Sequence, residues 1–272
     1  MKLYGMVHLP PLPGTPGYDG RGMDNIVAYA VNEAEKLVNA GFDGFIVENF
    51  MDYPFPIREE RESVLQAVRK ITKILRKRHP DAVIGLNVLR NSALEALRIA
   101  CENKLSFIRV NAYLEPLWAP EGLLEPTAYP LWHEKTSRRC SVKIYADANV
   151  KHAKPILDYI MVLRNIKVRG RVDGVIISGA ETGAETPASH VYLARRILGD
   201  YVEVIIGSGV DKNNIGLYVG LADAVIVGSS IKYGGCAENP IDPRRAVELR
   251  RTRDRIEKIL GKHRRYTTTR LA

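Results

Sequence analysis

The chain alternates short apolar, β-branched runs with longer amphipathic segments from one end to the other. This alternation is typical of parallel βα units, because strands covered on both faces are apolar throughout and the connecting helices have one apolar face. Eight repeats favour a closed barrel over an open sheet, so the pattern predicts a (β/α)₈ TIM barrel. The predicted strands are Leu3–Leu9, Phe42–Glu48, Ala82–Val88, Leu105–Val110, Val142–Ala146, Val172–Ser178, Val202–Gly207 and Ala222–Gly228.

The length of the chain fits one barrel domain that spans residues 1–272, since about 250 residues is typical of this fold. Two segments depart from the repeat. The connection at about 111–133 is too long for an ordinary βα loop and carries both tryptophans, Trp118 and Trp132, as lids and contact surfaces often do. Residues 264–272 form a basic tail that we expect to be mobile.

Charge and cysteine content narrow the class of protein further. The formal net charge is +9, but the basic residues are spread over several predicted helices and interleaved with acidic or apolar positions. This distribution favours solvated helix faces over a nucleic-acid-binding surface. No run approaches the roughly 18 apolar residues of a membrane span, and no secretory signal opens the chain, so we expect a cytoplasmic protein without membrane insertion. Cys101, Cys140 and Cys236 lie far apart without CxxC spacing, which predicts free thiols and neither a disulfide framework nor a zinc site.

Three predicted strands open with the same feature, an aspartate at the N-terminal end. These residues are Asp43, Asp173 and Asp223. In a barrel of this kind the N-terminal end of the strands carries stability and the C-terminal end carries function. We therefore predict a structural role for the three aspartates and a functional site at the opposite end of the barrel.

The loops after strands seven and eight carry the clearest local signal, a pair of Gly/Ser turns. Glycines there allow backbone N–H groups to approach an oxyanion, which predicts a phosphate-binding corner. Two more glycines, in the loop after strand six, are predicted to add a further wall. The predicted phosphate-binding residues are Gly179, Gly183, Gly207, Ser208, Gly209, Gly228 and Ser229.

Ionisable and polar residues at the other strand ends are the catalytic candidates. Glu48 and Asp147 both end apolar strands, where an unpaired carboxylate would be costly to bury, and they suit acid/base chemistry. A divalent metal held by His8, Glu48 and Asp147 is an open alternative, although no local spacing supports it, and we predict no resident cofactor. The candidate catalytic residues are His8, Glu48, Asn87, Arg109, Asp147 and Lys151.

Several phrases of the sequence together resemble the BtpA family, which includes a photosystem I biogenesis factor. The matching segments are GMVHLPPLPG (5–14), VENFMDYPF (47–55), GLNVLRN (85–91), RVN (109–111), YADANVKHA (145–153), SGAETG (178–183), GSGV (207–210) and VGSSIK (227–232). The resemblance covers nearly the whole chain and implies a TIM barrel of the ribulose-phosphate-binding type. It does not imply one settled reaction.

Two classes of function remain open at this point. The first is an enzyme of the lyase, isomerase or nucleosidase type that acts on a phosphorylated sugar or nucleotide-like small molecule. The second is a non-catalytic assembly or stability factor of the photosystem I biogenesis type, which would use the 111–133 connection as its surface for a protein partner. In either case we expect a homo-oligomer.

Overall fold

The computed structural model describes residues 1–149, 152–179 and 185–268, with the side chains of Asn149 and of residues 261–268 outside the description. Eight parallel strands close into a barrel in which β1 pairs with both β2 and β8. Each of the eight predicted strands is confirmed, and the fold class with them; β5 runs three residues further than predicted. The strands are β1 (Lys2–His8), β2 (Gly44–Glu48), β3 (Val83–Asn87), β4 (Phe107–Val110), β5 (Lys143–Asn149), β6 (Gly174–Ile177), β7 (Glu203–Ile206) and β8 (Ala224–Val227).

Helices pack around this barrel with one apolar face each. In the second helix, Val64, Val68, Ile71 and Leu75 recur at helical spacing and are all buried, whereas the last turn is basic, as suits the negative end of a helix. None of the helices within the described ranges is both long and apolar enough to span a membrane. The helices are α1 (Met23–Asn39), α2 (Glu62–Arg78), α3 (Ala93–Glu102), α4 (Ala128–Ser137), α5 (Tyr159–Asn165), α6 (Ala188–Leu198) and α7 (Pro243–Thr268).

The predicted basic tail begins inside a helix. Helix α7 continues to Thr268, so the first five residues of the 264–272 segment are helical, and the last four lie outside the described residues.

The core has two layers because each strand is buried on both faces. Outward-facing side chains pack against the helices in one large cluster. Inward-facing side chains fill the barrel itself, where the ring of Phe107 lies 5.4 Å from Tyr4 and 4.4 Å from Tyr145 between ring centroids. The barrel is therefore filled by side chains below its mouth and is not a pore.

The three repeated aspartates have the structural role that the sequence predicts. Each one accepts a hydrogen bond of 2.8 Å from the backbone N–H of a residue on a neighbouring strand: Asp43 from Leu3, Asp173 from Ile144 and Asp223 from Val204. The bonds fix strand against strand at the N-terminal end of the barrel.

The 111–133 connection is shorter than predicted because α4 already begins at Ala128. Before that helix, the chain forms a hairpin of two short strands, Leu117–Ala119 and Gly122–Leu124, and a third short strand, Lys154–Pro155, pairs with it. Leu117 and Leu124 are buried, whereas Trp118 is 57% exposed. The indole Nε1 of the other tryptophan, Trp132, donates a 2.8 Å hydrogen bond to the Tyr113 hydroxyl.

The prediction of three free thiols is wrong for two of them. Cys101 at the end of α3 forms a disulfide with Cys140, which follows α4, and only Cys236 is a free cysteine. The bond forms because α3 and α4 lie side by side, which brings the two Cα atoms within 5.8 Å despite 39 positions of separation. The spacing of the cysteines along the chain does not indicate that α3 and α4 bring them together.

Candidate active site at the barrel mouth

The first three strands end in a row of polar side chains that contact one another. His8, Glu48 and Asn87 are neighbours in the strand register, so their side chains share the mouth of the barrel. Asn87 Nδ2 donates a 2.6 Å hydrogen bond to Glu48 Oε2, and His8 Nε2 lies 3.7 Å from Glu48 Oε1. All three residues are buried. The Glu48 carboxylate thus has an amide on one oxygen and an imidazole near the other, an arrangement suited to proton transfer.

Next along the mouth, Arg109 and Asp147 form a bidentate ion pair. Arg109 Nε and one terminal nitrogen donate to the two oxygens of Asp147 at 3.0 and 2.9 Å, and Asn111 Nδ2 donates to Oδ2 at 2.8 Å. A β-bulge between Asp147 and Asn149 interrupts the ladder with β6, as often occurs near active sites. Burial opposes the charged form of Arg109, but the charges of Asp147 and Glu48 outweigh it and raise the pKa of the guanidinium.

The two predicted acid/base carboxylates therefore differ in their surroundings. The Asp147 side chain is fully buried, and three N–H donors hold its oxygens. Both oxygens of Asp147 are thus occupied by hydrogen-bond donors. Among the described residues, Glu48 accepts one side-chain hydrogen bond and has His8 3.7 Å away, so its geometry suits proton transfer better than that of Asp147.

Lys232 is a functional candidate that the predicted site set does not include. Its side chain is fully buried behind His8, and Nζ lies 3.0 Å from His8 Nδ1 and donates a 2.7 Å hydrogen bond to the Ala237 carbonyl. Desolvation lowers the pKa of Lys232 to about 8, although the charges of Glu33 and Glu48 act in the opposite direction. The sequence placed this lysine after strand eight, but nothing local indicated that it points inward.

The two Gly/Ser turns form a small polar corner beside this network. The corner encloses about 40 Å³, enough for a compact polar group. Gly209 has a φ of 71°, which favours glycine, and a Cβ at Gly207 would lie 2.4 Å from Ser178 Oγ, so no larger residue fits there. The corner is lined by Met6, His8, Glu48, Phe50, Arg109, Gly207, Ser208, Gly209, Gly228 and Ser229.

The structure places the predicted phosphate-binding residues unequally. Five of the seven line the corner. Gly179 supports it from behind, because its backbone N–H donates a 3.0 Å hydrogen bond to Ser208 Oγ. Gly183 lies outside the described residues, as does the catalytic candidate Lys151.

A second, larger cavity of about 300 Å³ adjoins the corner and shares Glu48, Phe50 and Arg109 with it. Aromatic side chains from the loop after β2 form much of its wall, and the tip of the hairpin contributes Pro120 and Glu121. The predicted site residues do not include this aromatic loop, although Phe50, Tyr53 and Phe55 lie close together in the sequence. The cavity is lined by Glu48, Phe50, Tyr53, Phe55, Asn87, Leu89, Arg90, Arg109, Asn111, Pro120, Glu121 and His152.

A resident metal would require His8, Glu48 and Asp147 to converge on one point. Within the ranges that the structure describes, no group of three or more His, Cys, Asp or Glu side chains is placed to hold a metal ion. His8 and Glu48 do approach each other, but the oxygens of Asp147 face Arg109 and Asn111.

Comparison with known proteins agrees with the fold. Residues 1–255 match the sequence model of the BtpA family. An uncharacterized protein of Methanocaldococcus jannaschii is 39% identical over 247 residues, which cover 91% of this chain and 93% of the relative. The photosystem I biogenesis protein BtpA of Synechocystis is 37% identical over 241 residues, which cover 88% of this chain and 83% of that protein.

Solved structures share the barrel at low sequence identity. Phosphoribosyl anthranilate isomerase from Thermus thermophilus superposes with a TM-score of 0.55 at 13% identity, over 94% of this chain and all of that one. Thiamine phosphate pyrophosphorylase from Pyrococcus furiosus superposes with a TM-score of 0.57 at 14% identity, over 94% of this chain and 96% of the other. At such identities the likeness establishes the fold alone.

Proposed function

The chain belongs to the BtpA family, and we propose that it is an enzyme acting on a phosphorylated sugar or nucleotide-like small molecule. The observation that carries this proposal is the position of Glu48 and Arg109, which line both the polar corner and the larger cavity. A ligand with its phosphate in the corner and its remainder in the cavity would lie across Glu48 and Arg109. The part of the ligand that joins the phosphate to the remainder would then be next to these two side chains.

The corner has the features of a phosphate site. Its glycines let the backbone come close to an anion, and Ser208 and Ser229 line it beside them. The buried Lys232 adds positive charge through its contact with His8, and Arg109, whose charge is paired with Asp147, lines the wall of the corner. These features favour a dianionic phosphate over a neutral group.

In the proposed mechanism, Glu48 moves a proton and Arg109 stabilises negative charge. A lyase, isomerase or nucleosidase must withdraw a proton or protonate a leaving group while charge develops close by. Glu48 reaches the space between the two cavities, and His8 lies beside it as a second proton carrier. Asp147 keeps the guanidinium of Arg109 oriented, because two parallel hydrogen bonds fix its plane.

A thermal shift experiment tests the phosphate corner. A Cβ at Gly228 would lie 3.6 Å from Met6 Cγ and 3.7 Å from His8 Cε1, in ordinary contact, so Gly228→Asp directs a carboxylate toward the corner. Ribose 5-phosphate should raise the melting temperature of the wild type and of Gly228→Ala, and should not raise that of Gly228→Asp. Tyr201→Asp is the matched control, because it adds the same charge at a residue that is 96% exposed. Equal shifts in all four proteins would refute the corner as the phosphate site.

A second candidate function, assembly through a protein partner, has one observation in its favour. The Synechocystis relative is named for photosystem I biogenesis, and the hairpin of this chain exposes Trp118 to 57%. An exposed tryptophan is a common anchor of protein interfaces. If the hairpin contacts a second copy of the chain, Trp118→Ser should lower the sedimentation coefficient while leaving the ribose 5-phosphate shift unchanged. An unchanged coefficient would remove this surface as a self-association site.

A further inference from the structure

The larger cavity has the walls of a site for a flat ring. Phe50, Tyr53 and Phe55 line it together with Leu89. Tyr53 and Phe55 meet edge to face with centroids 6.4 Å apart, and Tyr53 is half exposed toward solvent. Phe50 already stacks on His8 with ring centroids 4.1 Å apart, so Tyr53 and Phe55 are the rings left to receive a ligand. Partly exposed aromatic rings favour stacking partners, because the face of a ring offers a large apolar surface. An open-chain polyol would cover little of that apolar surface.

Asn111 offers the cavity an acceptor whose orientation is fixed. Its Nδ2 donates to the Asp147 carboxylate at 2.8 Å, and the flipped amide would place oxygen against oxygen, so Oδ1 must point the other way. Asn111 lines the cavity and is 4% exposed, yet Oδ1 accepts no hydrogen bond from any described residue. A buried acceptor left unsatisfied costs roughly 1–3 kcal/mol, and a ligand N–H or O–H would remove that cost.

Charges in this cavity are already compensated among the described residues. Arg109 pairs with Asp147, and Arg90 Nε lies 3.4 Å from Glu121 Oε2. Glu121 Oε2 is buried and accepts no hydrogen bond within the described chain, so it is a second acceptor open to a donor. A second phosphate or a carboxylate would meet these two acceptors and Glu48. The cavity therefore favours an uncharged group that carries donors.

We propose that the aromatic cavity binds a planar, uncharged ring with N–H donors, so that the ligand is a phosphorylated ring compound of the nucleoside monophosphate class. This inference rests on the proposed function for the phosphate of the ligand and adds the chemical class of the group at the other end of the ligand. A cavity of about 300 Å³ is at the lower limit of small-molecule sites, which suits a single ring system with its sugar.

Calorimetric titration of the full chain tests the ring directly. The probes are AMP, GMP, CMP and UMP against ribose 5-phosphate, which has the same phosphate and sugar without a base. At least one of the four nucleotides should bind about tenfold more tightly than ribose 5-phosphate, since stacking of a base on an aromatic side chain contributes on that scale. If all four bind no more tightly than ribose 5-phosphate, the inference is wrong.

Variants in the cavity wall locate the effect. Tyr53→Leu and Phe55→Leu should each reduce the advantage of the nucleotide by about fivefold or more and leave the affinity for ribose 5-phosphate within twofold of the wild type. Tyr129→Leu, at an aromatic residue that is 82% exposed and outside the mouth, should change neither value. The melting temperature of each variant shows that it is folded. An advantage that survives both cavity variants would overturn the assignment of the ring to this cavity.

The same titration separates this inference from the proposed function. Ribose 5-phosphate that binds the wild type but not Gly228→Asp supports the phosphate corner whatever the nucleotides do. If nucleosides bind as tightly as their monophosphates, the ring cavity stands and the phosphate corner fails.

Discussion

The two ends of the barrel hold carboxylates in different surroundings. At the N-terminal end, Asp43, Asp173 and Asp223 are more than a third exposed, and each accepts a backbone hydrogen bond from a neighbouring strand besides an ion pair with a basic side chain. At the mouth, Glu48 and Asp147 are buried, and their partners are other buried side chains. An exposed ion pair keeps much of its contact with water, whereas a buried pair costs desolvation that the pair only partly recovers. The difference indicates that one end is arranged for stability and the other for binding and chemistry.

The largest expected effect comes from breaking the buried pair at the mouth. Arg109→Met leaves Asp147 charged and without its main partner, so the free energy of unfolding should fall by about 3–5 kcal/mol. The double variant Arg109→Met/Asp147→Leu removes both charges and should recover most of that loss. Urea denaturation measures both. A double variant as unstable as the single one would mean that the pair holds the barrel together, and the contrast between the two ends would fail.

The second-largest effect is expected from removal of the disulfide, which lies at neither end of the barrel. It closes a loop that contains β4, the hairpin and α4, so it restricts the unfolded chain around the segment that borders the mouth. Cys101→Ser/Cys140→Ser should lower the free energy of unfolding by about 3–4 kcal/mol, because that is the entropy lost on closing a loop of this size. Cys236→Ser is the matched control and should have little effect, since that thiol is exposed and unpaired. If the bond only restricts the unfolded chain, the ribose 5-phosphate shift stays the same.

Lys232 should make the stability of the mouth depend on pH in the alkaline range. Its pKa in the folded protein is about 8, below the ordinary value of 10.5. Between these values the unfolded chain binds more protons, so stability rises as the pH goes from 8 to 10.5 and is lost as the pH falls through 8. The two pKa values differ by 10.5 − 8 = 2.5, which corresponds to about 3–4 kcal/mol as an upper bound.

The comparison with Lys232→Met isolates this contribution. The variant lacks the titrating group, so this group adds no pH dependence to its free energy of unfolding, whereas that of the wild type should rise toward pH 10. The free energy of unfolding of the variant minus that of the wild type should therefore be largest near pH 7 and should decline toward pH 10. Lys212→Met, at a half-exposed lysine, is the control and should show no such trend. A constant difference between wild type and Lys232→Met over this range would contradict a buried, desolvated lysine.

The smallest effect is expected at the N-terminal end of the barrel. Asp173→Asn weakens one hydrogen bond from the Ile144 N–H, removes a long ion pair with Lys135, and should lower the free energy of unfolding by about 1 kcal/mol. Asp200→Asn, at a fully exposed carboxylate, should be neutral. Neither should alter ligand binding. A loss of ribose 5-phosphate binding in Asp173→Asn with the fold intact would show that the two ends are not separate in function.

The sequence predicted what depends on local pattern. Eight apolar runs predicted the barrel, and the glycines after strands seven and eight predicted the polar corner. The repeated Asp43, Asp173 and Asp223 predicted the hydrogen bonds that hold the strands together at the N-terminal end. Strand order also brought His8, Glu48 and Asn87 together, since neighbouring strands of a barrel end at one rim.

The contacts that could not be predicted from the sequence join residues that lie far apart along the chain. Nothing local indicates that Arg109 would neutralise Asp147, that Lys232 would point inward to His8, or that Cys101 would meet Cys140. The aromatic cavity was missed for the same reason. Phe50, Tyr53 and Phe55 become one wall only when the loop after β2 folds beside Asn111 and the hairpin tip.

A crystal structure of the wild-type protein with ribose 5-phosphate would locate the phosphate site. We expect the phosphate in the corner between Gly207–Gly209 and Gly228–Ser229, with the sugar extending past Arg109 and Glu48 toward the aromatic cavity. Phosphate density at any other place on the molecule, with the corner empty, would contradict the central claim that this mouth is a phosphate-directed active site.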